Sequence, residues 1–179
     1  MQKRTLECLF LENEDYIFEG DLTITGDICI KNCNLIIAGS LTFSNKNANI
    51  SIIGGDITAK QLDSYAPILI RDGDIRVSFL DARNIDSDGN IEVRKDSEAC
   101  DIKCLNYLVG GDNDSSAITA IQDVYILGRN YSHTIKARDV LVGEDCDLCD
   151  STLIAKCFEC GGYIHDCSSK RLAIISFSR

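Results

Sequence analysis

No run in the sequence approaches the ~18 consecutive apolar residues needed for a bilayer-spanning helix, so no membrane span is expected. The N-terminal stretch starts basic, but Glu7 and Glu12 interrupt its short apolar run. It lacks the hydrophobic region and small-residue cleavage site of a secretory signal. A cytoplasmic location with reduced thiols is therefore the expectation, even though the chain carries 10 cysteines. Positive charge is scarce as well. Eighteen basic residues face 28 acidic ones, a net charge of −10, which argues against a nucleic-acid partner because phosphate contacts need a basic surface. Histidine occurs only at His133 and His165, neither in a nucleophile motif. The Gly-x-Ser-x-Gly, phosphate-loop and His-Glu-x-x-His patterns are absent. No catalytic residue and no cofactor are expected.

What the chain does have is turn formers and β-branched residues. It holds 20 Asp, 11 Asn, 13 Gly and 24 Ile, against only 11 Ala and 8 Glu. Asp, Asn and Gly favour tight turns, whereas Ile stiffens into strands. At 179 residues with a 45% hydrophobic share, the composition predicts one domain of many short strands.

Internal repeats organise those strands. Gly-Asp-Leu-Thr-Ile starts at Gly20 and Gly-Asp-Ile-Cys-Ile at Gly26; Gly-Ser-Leu-Thr-Phe follows at Gly39 and Gly-Asp-Ile-Thr-Ala at Gly55. Gly-Asp-Ile-Arg-Val and Gly-Asn-Ile-Glu-Val begin at Gly73 and Gly89. Apolar pairs such as Leu35 and Ile37, or Ile68 and Ile70, precede several copies, so the unit reads as strand, turn, strand and variable loop. Farther on, the stretch Ile135 to Gly143 matches Leu153 to Gly161 at a shift of 18, and Ile118 to Gly128 is a looser copy. Alternating pairs at a nearly fixed period cannot close a core within one repeat; stacked coils can. The fold class is therefore all-β: a single-domain parallel β-helix (β-solenoid) of about 8–9 coils, each of 15–19 residues. An antiparallel β-sandwich is the alternative. Residues 1–15 are assigned to an N-terminal cap, because Leu6, Leu9 and Phe10 stand at helical spacing. Residues 16–167 form the coils, and 168–179 a C-terminal strand.

The Gly-Asp-Ile-x-Val units and the Ile-x-Ala-Arg-Asp-Val unit resemble bactofilin-type polymer-forming β-helix proteins over roughly residues 16 to 167. The resemblance implies a right-handed β-helix that self-associates end to end without an active site.

Several local patterns offer chemistry. Cys146, Cys149, Cys157 and Cys160 form two Cys-x-x-Cys pairs of the kind that supply four thiolates to tetrahedral zinc. The 18-residue register argues against zinc. It sets Cys160 on Val142, Cys146 with Ile164 and Cys149 on Cys167, the pattern of a buried thiol ladder. Gly110 to Ser116 carries calcium-type oxygens without EF-hand spacing, and reads as a solvated turn. Lys60, Arg83, Arg138 and Lys156 each follow a repeat alanine, either as a basic stripe for an anion or as outward residues paired with aspartates; the low positive charge favours pairing. Asp56 and Asp74 are equivalent by repeat and are the only carboxylates to suggest carbohydrate chemistry. The apolar strand near the C-terminus, with Ile174, Ile175 and Phe177, is the expected contact in a homo-oligomer. The functional expectation is a non-catalytic, self-assembling scaffold. A carbohydrate-binding or carbohydrate-active β-helix is the alternative, and a zinc module at the C-terminal cysteines the third reading.

Overall fold

Apolar side chains at every second position can bury one edge of a strand only if another strand lies above and below it. The computed structural model meets that demand by winding the chain into a single-domain parallel β-solenoid of about eight turns. It describes residues 2–143, 147–149, 152–161, 163–165, 168–169 and 174–177. Among these are 23 strands and no helix. Among the described residues no helix is long and apolar enough to cross a membrane.

Each coil runs through three faces, not the two strands that the repeat suggested. On face A an inward column runs through Leu9, Ile28, Ile50, Ile68, Ile85, Ile102, Ile118, Ile135 and Leu153. Face B stacks Leu35, Ile57, Ile75, Ile91, Tyr107, Val124, Val140 and Phe158. Face C stacks Leu22, Leu41, Leu62 and Leu80, then turns polar with Ser97 and Asn113. At about 4.8 Å per coil, the eight steps of the face A column span a little under about 40 Å. The corners bend so little in places that Ile75–Ser87 passes through all three faces as one strand.

The glycine repeat divides between corners. Gly39 stacks on Gly20 ahead of face C, whereas Gly89 stacks on Gly73 and Gly73 on Gly55 ahead of face B. Gly26 opens face A. The interval from Gly39 to Gly55 is therefore not a coil step: Gly55 lies over Cys33. One five-residue phrase serves all three corners because each needs the same thing, a residue without a Cβ where the next backbone passes closely. A methyl group at Gly55 would overlap the Cys33 carbonyl.

The N-terminal cap is also corrected. Strands Gln2–Leu6, Leu9–Glu12 and Tyr16–Phe18 make a full first coil, paired with Gly20–Ile24, Ile28–Lys31 and Leu35–Phe43. Leu9 is buried and Phe10 exposed, so period two governs. The helical spacing of Leu6, Leu9 and Phe10 arises because a corner at Glu7 and Cys8 separates Leu6 from the others. The register of 18 holds where it was read: Ile135 pairs with Leu153, Val140 with Phe158 and Val142 with Cys160.

Candidate functional site

Between faces A and B, a ladder of Asp and Asn side chains links successive coils. Asp15 Oδ1 accepts the N–H of Asn34 at 2.7 Å, and Asn34 Oδ1 that of Asp56 at 3.0 Å. Asp56 and Asp74 then accept from Asp74 and Asn90, both at 2.8 Å. Asn90 Oδ1 accepts from the Asn106 amide at 2.8 Å, and Asn106 Oδ1 from the Asp123 N–H at 3.1 Å. Short side chains with an oxygen at Cγ reach one coil spacing and satisfy a corner N–H that would otherwise lack a partner.

Stacked carboxylates repel, and arginine relieves the repulsion at two points. Arg76 bonds Asp56 and Asp74, both at 2.6 Å. Its hydrogen bond to Asp56 and the surrounding carboxylates raise its pKa further, against a smaller opposing effect of burial. Lower in the stack, Arg138 bonds Asp123 at 2.8 Å and Asp139 at 3.0 Å. Asp56 and Asp74 do line up, as the repeat implied, and serve the backbone and Arg76. The basic stripe divides. Arg83 follows Ala82, which pairs with Ser64, so by register it falls at the place of Tyr65 and not over Lys60. Lys156 does share a corner with Arg138, donating its N–H to the Arg138 carbonyl at 2.8 Å.

Face C carries two adjoining concave surfaces. Its outward central column reads Thr23, Thr42, Asp63, Asp81, Glu98 and Asp114, so four carboxylates stack in register. A groove of about 520 Å³ on one side is bordered by Lys46, Tyr65, Arg83 and Cys100. A second of about 430 Å³ on the other is bordered by Phe79, Asp96, Asp112 and Tyr131. Both share Asp81, Glu98 and Asp114. Sequence reading missed this column because its members sit in differently spelled stretches, and only the coil register brings them together.

The chain matches no family model, no curated protein and no solved structure.

Behind face C, the core becomes polar. Asn113 Oδ1 accepts from Tyr107 at 3.0 Å and from Ser115 at 2.9 Å, while its amide donates to Asn130 at 2.7 Å and Ser132 at 2.6 Å. Tyr107 also shares a 2.6 Å bond with Ser97. All six residues are buried, and Asn113 makes all four bonds that its amide group allows. Burial raises the Tyr107 pKa well above the usual phenol range, against a smaller lowering by its bond to Ser97. Nearby, burial pushes the Cys104 thiol up to about 12. An inert, protonated thiol is what a core position requires.

The cysteine ladder is corrected in two rungs, since Ile164 pairs with Leu148 and not with Cys146, and Cys149 does not lie on Cys167. Cys160 lies on Val142 and is buried, whereas Cys157 lies on Asp139 and is exposed. Cys149 pairs with His165, not Cys167, because the strand Asp147–Cys149 meets Tyr163–His165 at a shift of 16. Cys146 and Cys167 lie outside the described residues. Among the described residues, no group of three or more His, Cys, Asp or Glu side chains could hold a metal ion. The calcium-type segment is part of the scaffold: Asp112 donates its N–H to Asp96 and accepts that of Arg129, while Asn113 is the core hub. Ile174, Ile175 and Phe177 lie in a strand paired with Cys157–Cys160.

Proposed function

We propose that this protein is a non-catalytic scaffold that assembles with copies of itself. The observation carrying this reading is the first coil, whose three strands each pair only toward the body of the solenoid among the described residues. An open parallel edge is a template for another strand. The polar groups that converge elsewhere support the reading too, since the Asp/Asn ladder and the Asn113 network bond coil to coil. The pattern-level resemblance to bactofilin-type polymers points the same way. Light scattering across a hundredfold range of protein concentration tests it. The mean mass should rise in whole multiples of the chain; a monomer at every concentration rejects the scaffold.

A second reading, a carbohydrate-binding solenoid, draws on face C, where Tyr65, Phe79 and Tyr131 flank the carboxylate column. Aromatic faces beside hydrogen-bond acceptors suit sugar rings. Titration of the same preparation with neutral and amino-sugar oligomers separates the two readings, because only the second expects saturable binding.

A further inference from the structure

We infer that face C binds a linear polyamine, its ammonium groups three carbons apart and set against the carboxylates of successive coils. The inference stands apart from self-assembly and needs only one chain. Asp81, Glu98 and Asp114 stack in register on the outward side of the sheet. Their backbones repeat at the coil spacing of about 4.8 Å. Above them, Asp63 accepts hydrogen bonds from Gln61 at 2.8 Å and from Thr42 at 3.4 Å. The next three have no such partner: among the described residues their carboxylates form no ion pair and no hydrogen bond. Elsewhere the chain does not leave stacked carboxylates bare. Arg76 bridges Asp56 and Asp74, and Arg138 bridges Asp123 and Asp139. Lys46 and Arg83 border the neighbouring groove without forming an ion pair, so on face C the bridging cation is left to a ligand.

The groove on the other side of the column gives that ligand its bed. Asp81, Asp96, Glu98, Asp112 and Asp114 line it with, among the described residues, no basic side chain. Aromatic rings stand toward its two ends, Phe79 on the coil of Leu80 and Tyr131 three coils on. That run is about 14 Å. An ammonium group already sits on one wall. Lys95 Nζ lies 5.0 Å from the centroid of the Phe79 ring, a cation held against an aromatic face. Tyr131, 42% exposed, supplies a second ring at the far end. The protein's own lysine thus shows the chemistry that this face attracts.

Spacing selects the class of ligand. The three carboxylates form a line and converge on no common point, which suits a chain of charges and not one metal ion. In an extended amine, nitrogens separated by three carbons lie about 5 Å apart, and those separated by four about 6 Å. Three ammonium groups of the first kind span about 10 Å, the reach from Asp81 to Asp114 over two coil steps. A basic peptide fits less well, because like-facing residues of an extended strand repeat at about 6.8 Å.

Calorimetric titration of the full chain at low salt tests this with two triamines of equal charge, bis(3-aminopropyl)amine and bis(4-aminobutyl)amine. The three-carbon triamine should saturate at one equivalent per chain, bind about fivefold tighter than the four-carbon one, and weaken as salt rises. Asp81→Asn, Glu98→Gln and Asp114→Asn together should weaken it about tenfold or more. The same loss of charge on the first coil, through Glu7→Gln, Glu14→Gln and Glu19→Gln, should change it by less than about twofold. All these side chains are exposed, so both variants should unfold thermally as wild type does. Equal affinities for the two triamines would reduce the effect to net charge and overturn the inference, with no variant needed. A titration without saturation, a face C variant that binds like wild type, or a first-coil variant that weakens as much overturns it too. Displacement of the triamine by neutral sugar oligomers would give the groove to the carbohydrate reading instead.

Discussion

Asn113 shows how much a single side chain decides in this core. Four coils above it fill the same face C column with leucine, at Leu22, Leu41, Leu62 and Leu80. Leucine at 113 would therefore fit the shape of the column and still fail. It would strip partners from Tyr107, Ser115, Asn130 and Ser132, each buried. Tyr107 keeps its bond to Ser97, but four hydrogen bonds go at once, and each lost in a core costs about 1 kcal/mol net, more where a buried atom is left unsatisfied. Asn113→Leu should lower stability by at least about 3 kcal/mol, read as a shift in denaturant midpoint. A loss under about 1 kcal/mol would mean that the network contributes little. The polar column also fixes register, since a leucine ladder tolerates slippage by one coil whereas a hub with four directed bonds does not.

At the scale of the turn, the corner after face A follows one backbone rule through four coils. Asn13, Asn32, Gly54 and Asp72 follow Glu12, Lys31, Ile53 and Arg71, which stack on one another. All four adopt positive φ, between 53° and 70°. Asn and Asp tolerate the left-handed region better than other side chains, and glycine tolerates it best. At Gly54 a Cβ would also approach Asn32 Oδ1 to 2.6 Å. Gly54→Ala should thus cost about 1–2 kcal/mol, whereas Gly54→Asn, matching its neighbours in the column, should cost less. Equal losses in thermal unfolding would show that crowding against Asn32, not backbone conformation, sets the penalty.

These turns also explain what could be read in advance. The Gly-Asp-Ile phrase announced corners correctly, and the 18-residue match gave true register from Ile135 to Gly161. The number of faces did not show, because the same phrase opens faces A, B and C. A phrase blind to its corner makes Gly39 and Gly55 look like successive repeats. The alignment of Asp56 with Asp74 was legible because both follow the glycine of one corner. The face C carboxylates were not, because Asp81 and Glu98 follow Leu80 and Ser97, positions with no shared motif.

For the whole molecule, order should be graded along the axis. In a stacked array each coil is held by its neighbours, and an end coil has only one. Leu6, Leu11, Tyr16 and Phe18 are partly exposed, whereas Ile57, Leu62, Ile68 and Ile75 are buried on both sides. Amide hydrogen exchange in the monomer should be slowest through the coils from Ile50 to Val93 and faster across 2–18, by about tenfold or more. Uniform protection from end to end would indicate one cooperative block, and with it a first coil as firmly held as the middle.

The coils differ in length. Successive rungs of the Asp/Asn ladder lie 19, 22, 18, 16, 16 and 17 residues apart, yet the columns stay in line. The longest step holds residues 45–47, which are exposed and add length outside the stack, while Ala48 returns to the core. Length at that place is decoupled from fold. Such a chain can gain or lose residues over generations without relinquishing its interior, and repeats that began as copies can drift apart in spelling while remaining aligned in space. The same freedom marks 45–47 as a place to graft a foreign peptide, displayed at a known height on a rod whose rungs count off the distance.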